Sequence, residues 1–219
     1  NTPTLLNSAY NSSFGWTDEG ITSLERQHLV PLTNSNPLEM GFGPEQLNDL
    51  NADDALRREV LAAFGSTEIT LKIITQALAS YTRTLLGADR PFDRSLLWDE
   101  QDAMTADAAE GMRLFFSEQL GCSTCHASFN LSGPVSHGGL SSVTAAPVFH
   151  VTGVGGSTTA FRAPSLRHVS DTAPYMHDGS LATLDEVLVF YETAAAAALK
   201  PFSLRIEERR ALRAFLEHL

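Results

Sequence analysis

Apolar residues recur at helical intervals over 54–86 and again toward the end of the chain, and fall into short, uneven runs elsewhere. The spacing predicts a helix over 54–64 and a second over 67–86, the latter with Ile69, Ile73, Ala77 and Tyr81 along one face and Gly87 closing it. Residues 1–50, rich in Asn, Pro, Gly and Ser, predict loop with one or two short helical turns, and Pro91-Phe92-Asp93 predicts a turn. Thr105 is placed to cap a helix with Asp107 in its first turn and Met112, Phe115 and Phe116 before Gly121. Thr183 and Glu186 form a capping box ahead of Leu184, Val187, Leu188 and Tyr191, an i, i+3, i+4, i+7 set that turns Tyr191 inward. Leu212, Phe215, Leu216 and Leu219 give a last helix its apolar side. The run 194–199 reads as helix or a fraying helix end. The expected fold is all-α with long irregular loops and little or no β, divided into residues 1–90 and 91–219.

With 219 residues, 43% of them hydrophobic, the chain can bury a substantial core. A formal charge of -11 argues against nucleic acid or an anionic membrane surface as partner. No apolar run reaches membrane-spanning length.

The chain's two cysteines change this picture. Cys122-Ser123-Thr124-Cys125-His126 has the spacing that attaches a c-type heme through two thioethers, with the adjacent imidazole as proximal iron ligand. A redox CxxC would expect a βαβ context and leaves the histidine unexplained. A zinc site would need more sulfur or paired histidines nearby. The Gly- and Ser-dense stretch 127–159 then reads as a long loop wrapping the cofactor. Heme attachment to cysteine belongs to an exported compartment, so a periplasmic or extracellular location is expected, with any leader removed or upstream.

Three residues compete for the iron's other face. Met176 and His177 sit in the turn-like Ala173-Pro174-Tyr175-Met176-His177-Asp178-Gly179, and Tyr191 on its buried helix. Composition alone favours methionine, the common partner of histidine in electron-transfer hemes. His28, His137, His150, His168 and His218 carry no motif that would make them ligands.

The heme motif, Phe161-Arg162-Ala163-Pro164-Ser165-Leu166-Arg167, Thr172-Ala173-Pro174-Tyr175-Met176-His177-Asp178-Gly179 and Leu199-Lys200-Pro201 with the terminal helix resemble the bacterial dihaem cytochrome c peroxidases and their MauG-like relatives. So do Asn1-Thr2-Pro3-Thr4-Leu5-Leu6-Asn7, Leu24-Glu25-Arg26-Gln27 and Asn36-Pro37-Leu38-Glu39-Met40, so the likeness covers practically the whole chain. The resemblance implies cytochrome c-like helical heme domains, hydrogen peroxide as oxidant and a redox partner that is a cytochrome, a cupredoxin or a protein substrate. It makes Tyr191 the second heme's distal ligand, where the peroxidases generally have methionine and MauG-like enzymes tyrosine. It further implies that Gln27, Pro31 and Glu39 line the peroxide side of a first heme, that Trp16 relays electrons between hemes, that Arg162 and Arg167 meet heme propionates, and that Thr172 and Pro174 offer carbonyls to a calcium ion. The sequence holds one CxxCH, so the first heme's attachment motif is expected upstream; a natural one-heme variant is the alternative. The implied activity is peroxide-driven oxidation of a protein partner or side chain by long-range electron transfer. Alternatives are peroxide detoxification with a small cytochrome donor, a mono-heme electron carrier, and a heme-bearing sensor module.

Overall fold

The computed structural model describes residues 2–18, 20–35, 39–100, 102–132, 149–154, 157, 159–193 and 201–219, except for the side chains of Phe149 and His150. Among them are eight α-helices: α1 (Leu24–Thr33), α2 (Pro44–Ala52), α3 (Asp54–Phe64), α4 (Leu71–Thr82), α5 (Pro91–Leu97), α6 (Ala106–Phe115), α7 (Leu184–Thr193) and α8 (Ile206–Glu217). The strands described are β1 (Phe149–Val151) and β2 (Ala160–Arg162), paired antiparallel with His150 opposite Phe161. The expected all-α class holds. No helix among the described residues is long and apolar enough to cross a membrane. The expected helix at 194–199, most of the loop 127–159, and His137 lie outside the described residues.

The chain divides into two compact units: Ser13–Leu85, and Asn1–Ser12 with Leu86–Leu219. The Ser13–Leu85 unit contains α1 to α4. Ser23 caps α1 by accepting from Arg26 N–H, Asp53 caps α3 through Ala55 and Leu56 N–H, and Thr70 caps α4 through Ile73 N–H. These caps fix α3 as expected, but α4 starts and ends inside its expected range. Ile69 therefore lies ahead of the helix, and Tyr81, 66% exposed, faces solvent. The buried stripe is Thr75, Ala79 and Thr82 instead, because the threonine hydroxyls donate to the Lys72 and Leu78 carbonyls and so carry no unpaired group inward. Small residues there let α1 approach, with Leu24 buried against Ala79 and a His28–Thr82 hydrogen bond of 3.0 Å.

α1 and α2 are full helices where only short turns were expected. The interior Pro31 reads as a breaker, yet α1 continues through it at the loss of one backbone donor. Asn51 ties the end of α2 to the approach of α4: its amide donates to Leu47 and Ile69 carbonyls and its oxygen accepts from Ile69 N–H at 2.9 Å.

In the other unit, α6 and α8 cross so closely that a Cβ on Gly111 would overlap the Ala211 carbonyl and stand 2.8 Å from Phe215 Cβ. Phe215, fully buried, meets Phe92 and Phe115 edge-on or tilted at 5.5 and 5.3 Å. Leu120, Leu131, Leu184, Leu188, Leu212 and Leu219 complete the same core. The expected turn at Pro91 is the start of α5: proline occupies the first helical position, and the Asp93 carboxylate accepts from Arg90 N–H. Thr183 caps α7 through Glu186 N–H, and the Glu186 carboxylate reaches Ala182 N–H, one residue before the reciprocal partner of a standard box. At the far end of α7, Glu192 accepts from Leu204 N–H and from the Arg209 guanidinium, both at 2.6 Å.

Candidate heme site

α6 delivers the cysteine motif. After Phe115 the chain turns through buried Leu120 and left-handed Gly121 (φ 67°) into a single 3-10 turn, Cys122–Thr124. Cys125 N–H and His126 N–H both return to the Cys122 carbonyl, at 3.3 and 3.0 Å. One helical turn brings side chains three apart alongside each other, which is the arrangement two thioethers on one porphyrin edge require. Cys122 packs against the apolar core, and Cys122 and Cys125 are not joined to each other. Burial pushes Cys122 up to about 11 and raises Cys125 as well.

The His126 ring is oriented by a 2.9 Å contact between Nδ1 and the Leu131 carbonyl. A carbonyl only accepts, so the proton sits on Nδ1 and Nε2 carries the lone pair an iron ligand needs. Burial pushes the Tyr191 phenol up to about 12, with added repulsion from Cys125 and Cys122, which lie close enough to act on it. The chain thus gathers two thiols, an Nε2 lone pair and a phenol around one apolar region. These groups fit a c-type heme.

The neighbouring candidates are placed differently. Tyr175 and Leu181 pair across the base of the 175–181 loop, which carries Met176 in a left-handed conformation (φ 68°). The His177 ring stacks on Phe161 at 3.7 Å and 19°. Arg162 is 6% exposed, burial lowers its pKa, and its Nη1 donates to the Ala163 carbonyl at 3.5 Å. Arg167 is engaged within the protein: it meets Asp93 and donates from Nε and Nη2 to the Phe129 carbonyl, with its guanidinium over the Phe92 ring at 5.2 Å. Sequence reasoning missed Asp93 in this role, since nothing in its surroundings along the chain points to an arginine 74 positions away. Thr172 is exposed, with its hydroxyl turned to the Val169 carbonyl.

The first-heme candidates lie in the Ser13–Leu85 unit. Gln27 and Pro31 sit one turn apart on α1, and the chain after 38 folds back on that helix, Met40 N–H donating to the Pro31 carbonyl and Phe42 N–H to Leu32. Glu39 is exposed and accepts from Asn34 at 3.4 Å. Gln27 Oε1 is buried without a hydrogen-bond partner, 3.7 Å from where a side chain on Gly15 would begin. Trp16, next to that glycine, is half-buried.

A sequence model described as di-haem cytochrome c peroxidase matches residues 1–101. The methylamine utilization protein MauG of Methylophilus methylotrophus is 36% identical over 228 residues, covering 100% of this chain and 67% of its own length. The chain belongs to the di-haem cytochrome c peroxidase and MauG family. MauG of Methylorubrum extorquens is also 36% identical, with 100% of this chain and 64% of the relative covered. The crystal structure of a MauG-like protein associated with microbial copper homeostasis superposes with a TM-score of 0.86 at 30% identity, covering 100% of this chain and 75% of that one. This chain therefore spans about two thirds of the length of the MauG proteins it matches. Membership of the family implies heme c.

Proposed function

We propose that this chain acts as an exported c-type heme oxidoreductase of the MauG kind, using hydrogen peroxide and taking electrons over long range from a protein partner or one of its side chains. The observation that carries the reading is Tyr191, half-buried on α7 and near enough to Cys122 and Cys125 for their charge to act on its phenol. In this reading Cys122 and Cys125 would hold the heme through thioethers, and His126 Nε2 and the Tyr191 oxygen would be its iron ligands. Bound heme supplies one-electron redox chemistry and cleavage of the peroxide O–O bond. Because burial holds the phenol protonated up to about 12, Tyr191 gives up its proton only where a cation replaces it. The resulting anionic oxygen donor favours oxidised iron over easy reduction.

Around a first heme, whose attachment residues are outside this sequence's single CxxCH, Gln27 orients peroxide and Glu39 moves a proton between its oxygens. The orphaned Gln27 Oε1 supports that role, since a buried acceptor without a donor is costly unless a ligand completes it. Trp16 relays electrons. Arg162 is the better-supported propionate partner, because the Arg167 fork is taken by Asp93 and Phe129. Backbone carbonyls of Thr172 and Pro174 suit a calcium ion.

The test is Tyr191→Phe in the heme-loaded protein, followed by absorption and electron paramagnetic resonance. The expected result is a changed ferric spectrum and a loss of protein-substrate oxidation of at least tenfold, with heme still covalently attached. An unchanged spectrum would transfer the ligand role to Met176. Rapid turnover of peroxide with reduced cytochrome c would show a detoxifying peroxidase instead, and a spectrum indifferent to peroxide would show an electron carrier.

A further inference from the structure

Three consecutive carbonyls beside the cysteine motif each receive a side-chain donor. Arg167 Nε donates to Phe129 O at 2.8 Å, Ser165 Oγ to Asn130 O at 2.7 Å, and His126 Nδ1 to Leu131 O at 2.9 Å. The first two donors are themselves linked, because Arg167 N–H donates to Ser165 Oγ at 3.1 Å. Asp93 closes the set from α5, its carboxylate against Arg167, with both side chains no more than 3% exposed. We propose that Ser165 and the Asp93–Arg167 pair are positioning residues for His126, acting through the 129–131 backbone to set the reduction potential of the heme carried by this motif.

The segment they hold does not hold itself. Leu131 adopts φ 49°, a left-handed conformation that a branched side chain disfavours, and Ser128 at the start of the turn adopts φ 59°. One backbone hydrogen bond, from Leu131 N–H to Ser128 O at 3.2 Å, closes that turn. Asn130 and Leu131 are fully buried, so no water reaches either of them to satisfy a carbonyl that loses its donor. The Arg167 and Ser165 donors therefore help to determine where the Leu131 carbonyl stands, together with Asn130 Nδ2, which donates to Asn11 and Ser132, and the Leu131 side chain in the core. That carbonyl in turn determines how strongly it accepts from His126 Nδ1–H. A strong acceptor there raises electron density at Nε2 and stabilises ferric iron; a displaced acceptor weakens that stabilisation and favours the ferrous state. The Ser165 hydroxyl and the Arg167 fork thus act on the iron across a backbone segment, without touching it.

This inference rests on His126 being the proximal ligand. The experiment is a redox titration of the heme-loaded full chain, read by heme absorption, for the parent, Ser165→Ala, Ser165→Thr and the core variant Leu212→Ala. Ser165→Ala leaves the Asp93–Arg167 side-chain pair in place while removing the donor to Asn130 and the acceptor of Arg167 N–H. It is expected to shift the ferric/ferrous equilibrium toward ferrous by about tenfold, equivalent to ~59 mV for one electron. Ser165→Thr, which restores the hydroxyl, should return to the parent value. Leu212→Ala should lower the melting temperature without moving the equilibrium. A Ser165→Ala equilibrium within twofold of the parent overturns the proposal, as does an equal shift in Leu212→Ala. Should Ser165→Ala not accumulate in folded form, Arg167→Lys keeps the charge opposite Asp93 but removes the fork on Phe129, and carries the same expectation and the same refutation. Failure of the ligand reading is seen separately: His126→Gln would then keep the parent spectrum once heme is attached.

Discussion

The Ser13–Leu85 unit and the unit bearing the cysteines are held by different kinds of contact. The latter closes around Phe215 and a continuous cluster of leucines and phenylalanines. Among the described residues the former buries a small cluster of Phe14, Ile21, Leu24 and Ala79, with Leu32, Val60 and Ile69 buried outside it, and joins its helices through polar groups: His28 to Thr82, Glu25 to Arg83 at 2.8 Å, and Asn51 to the Ile69 backbone. An interior of apolar side chains tolerates imprecision in any one contact. Joints made by threonines and an asparagine depend on each hydrogen bond being made, because a buried polar group without a partner costs more than the bond itself contributes.

The contrast can be broken most directly at Phe215. Phe215→Ala should cost about 4 kcal/mol, since the cavity lies where three aromatic rings meet. Urea unfolding with hydrogen exchange on α8 amides checks it, and a loss below ~2 kcal/mol would mean that this core collapses readily around a void. In the polar-jointed unit, Asn51→Ala should cost about 2 kcal/mol although it removes little apolar area, because it strands the Ile69 N–H and carbonyl. Faster exchange at Ile69 with α6 and α8 unaffected is the signature to look for.

The smallest effect concerns pH. Burial holds the His28 imidazole below the ordinary histidine value, Glu25 opposing and Arg83 adding to the depression. Below that ordinary value, about 6.5, the unfolded chain binds a proton that the folded one refuses, so stability rises with pH through this window and falls on acidification. Melting temperatures at pH 5 and 7 should therefore converge in His28→Gln relative to the parent. An unchanged gap would assign the acid sensitivity to other groups.

What the sequence disclosed follows the same division. Leu212, Phe215, Leu216 and Leu219 announce their buried face through apolar spacing, and Thr183 with Glu186 fixes the phase that turns Tyr191 inward. The heme motif is legible because covalent attachment demands that spacing and histidine. α4 misleads because its interior side chains are Thr75, Ala79 and Thr82, which no hydrophobic count selects. α1 is obscured by Pro31, inside the helix that Ser23 caps. The clamps on 129–131 were illegible for another reason: Arg167 and Ser165 join them from more than thirty positions away, and an arginine in a heme protein suggests a propionate before it suggests a backbone carbonyl.

Glu192 has a consequence for how this protein can vary. Its carboxylate fastens the end of α7 to the Leu204 backbone and to Arg209 on α8, immediately beside the phenol at 191. The setting of Tyr191 at the end of α7 therefore depends on both fastenings of the residue that follows it. Shortening the acid at 192 to aspartate would pull on both at once.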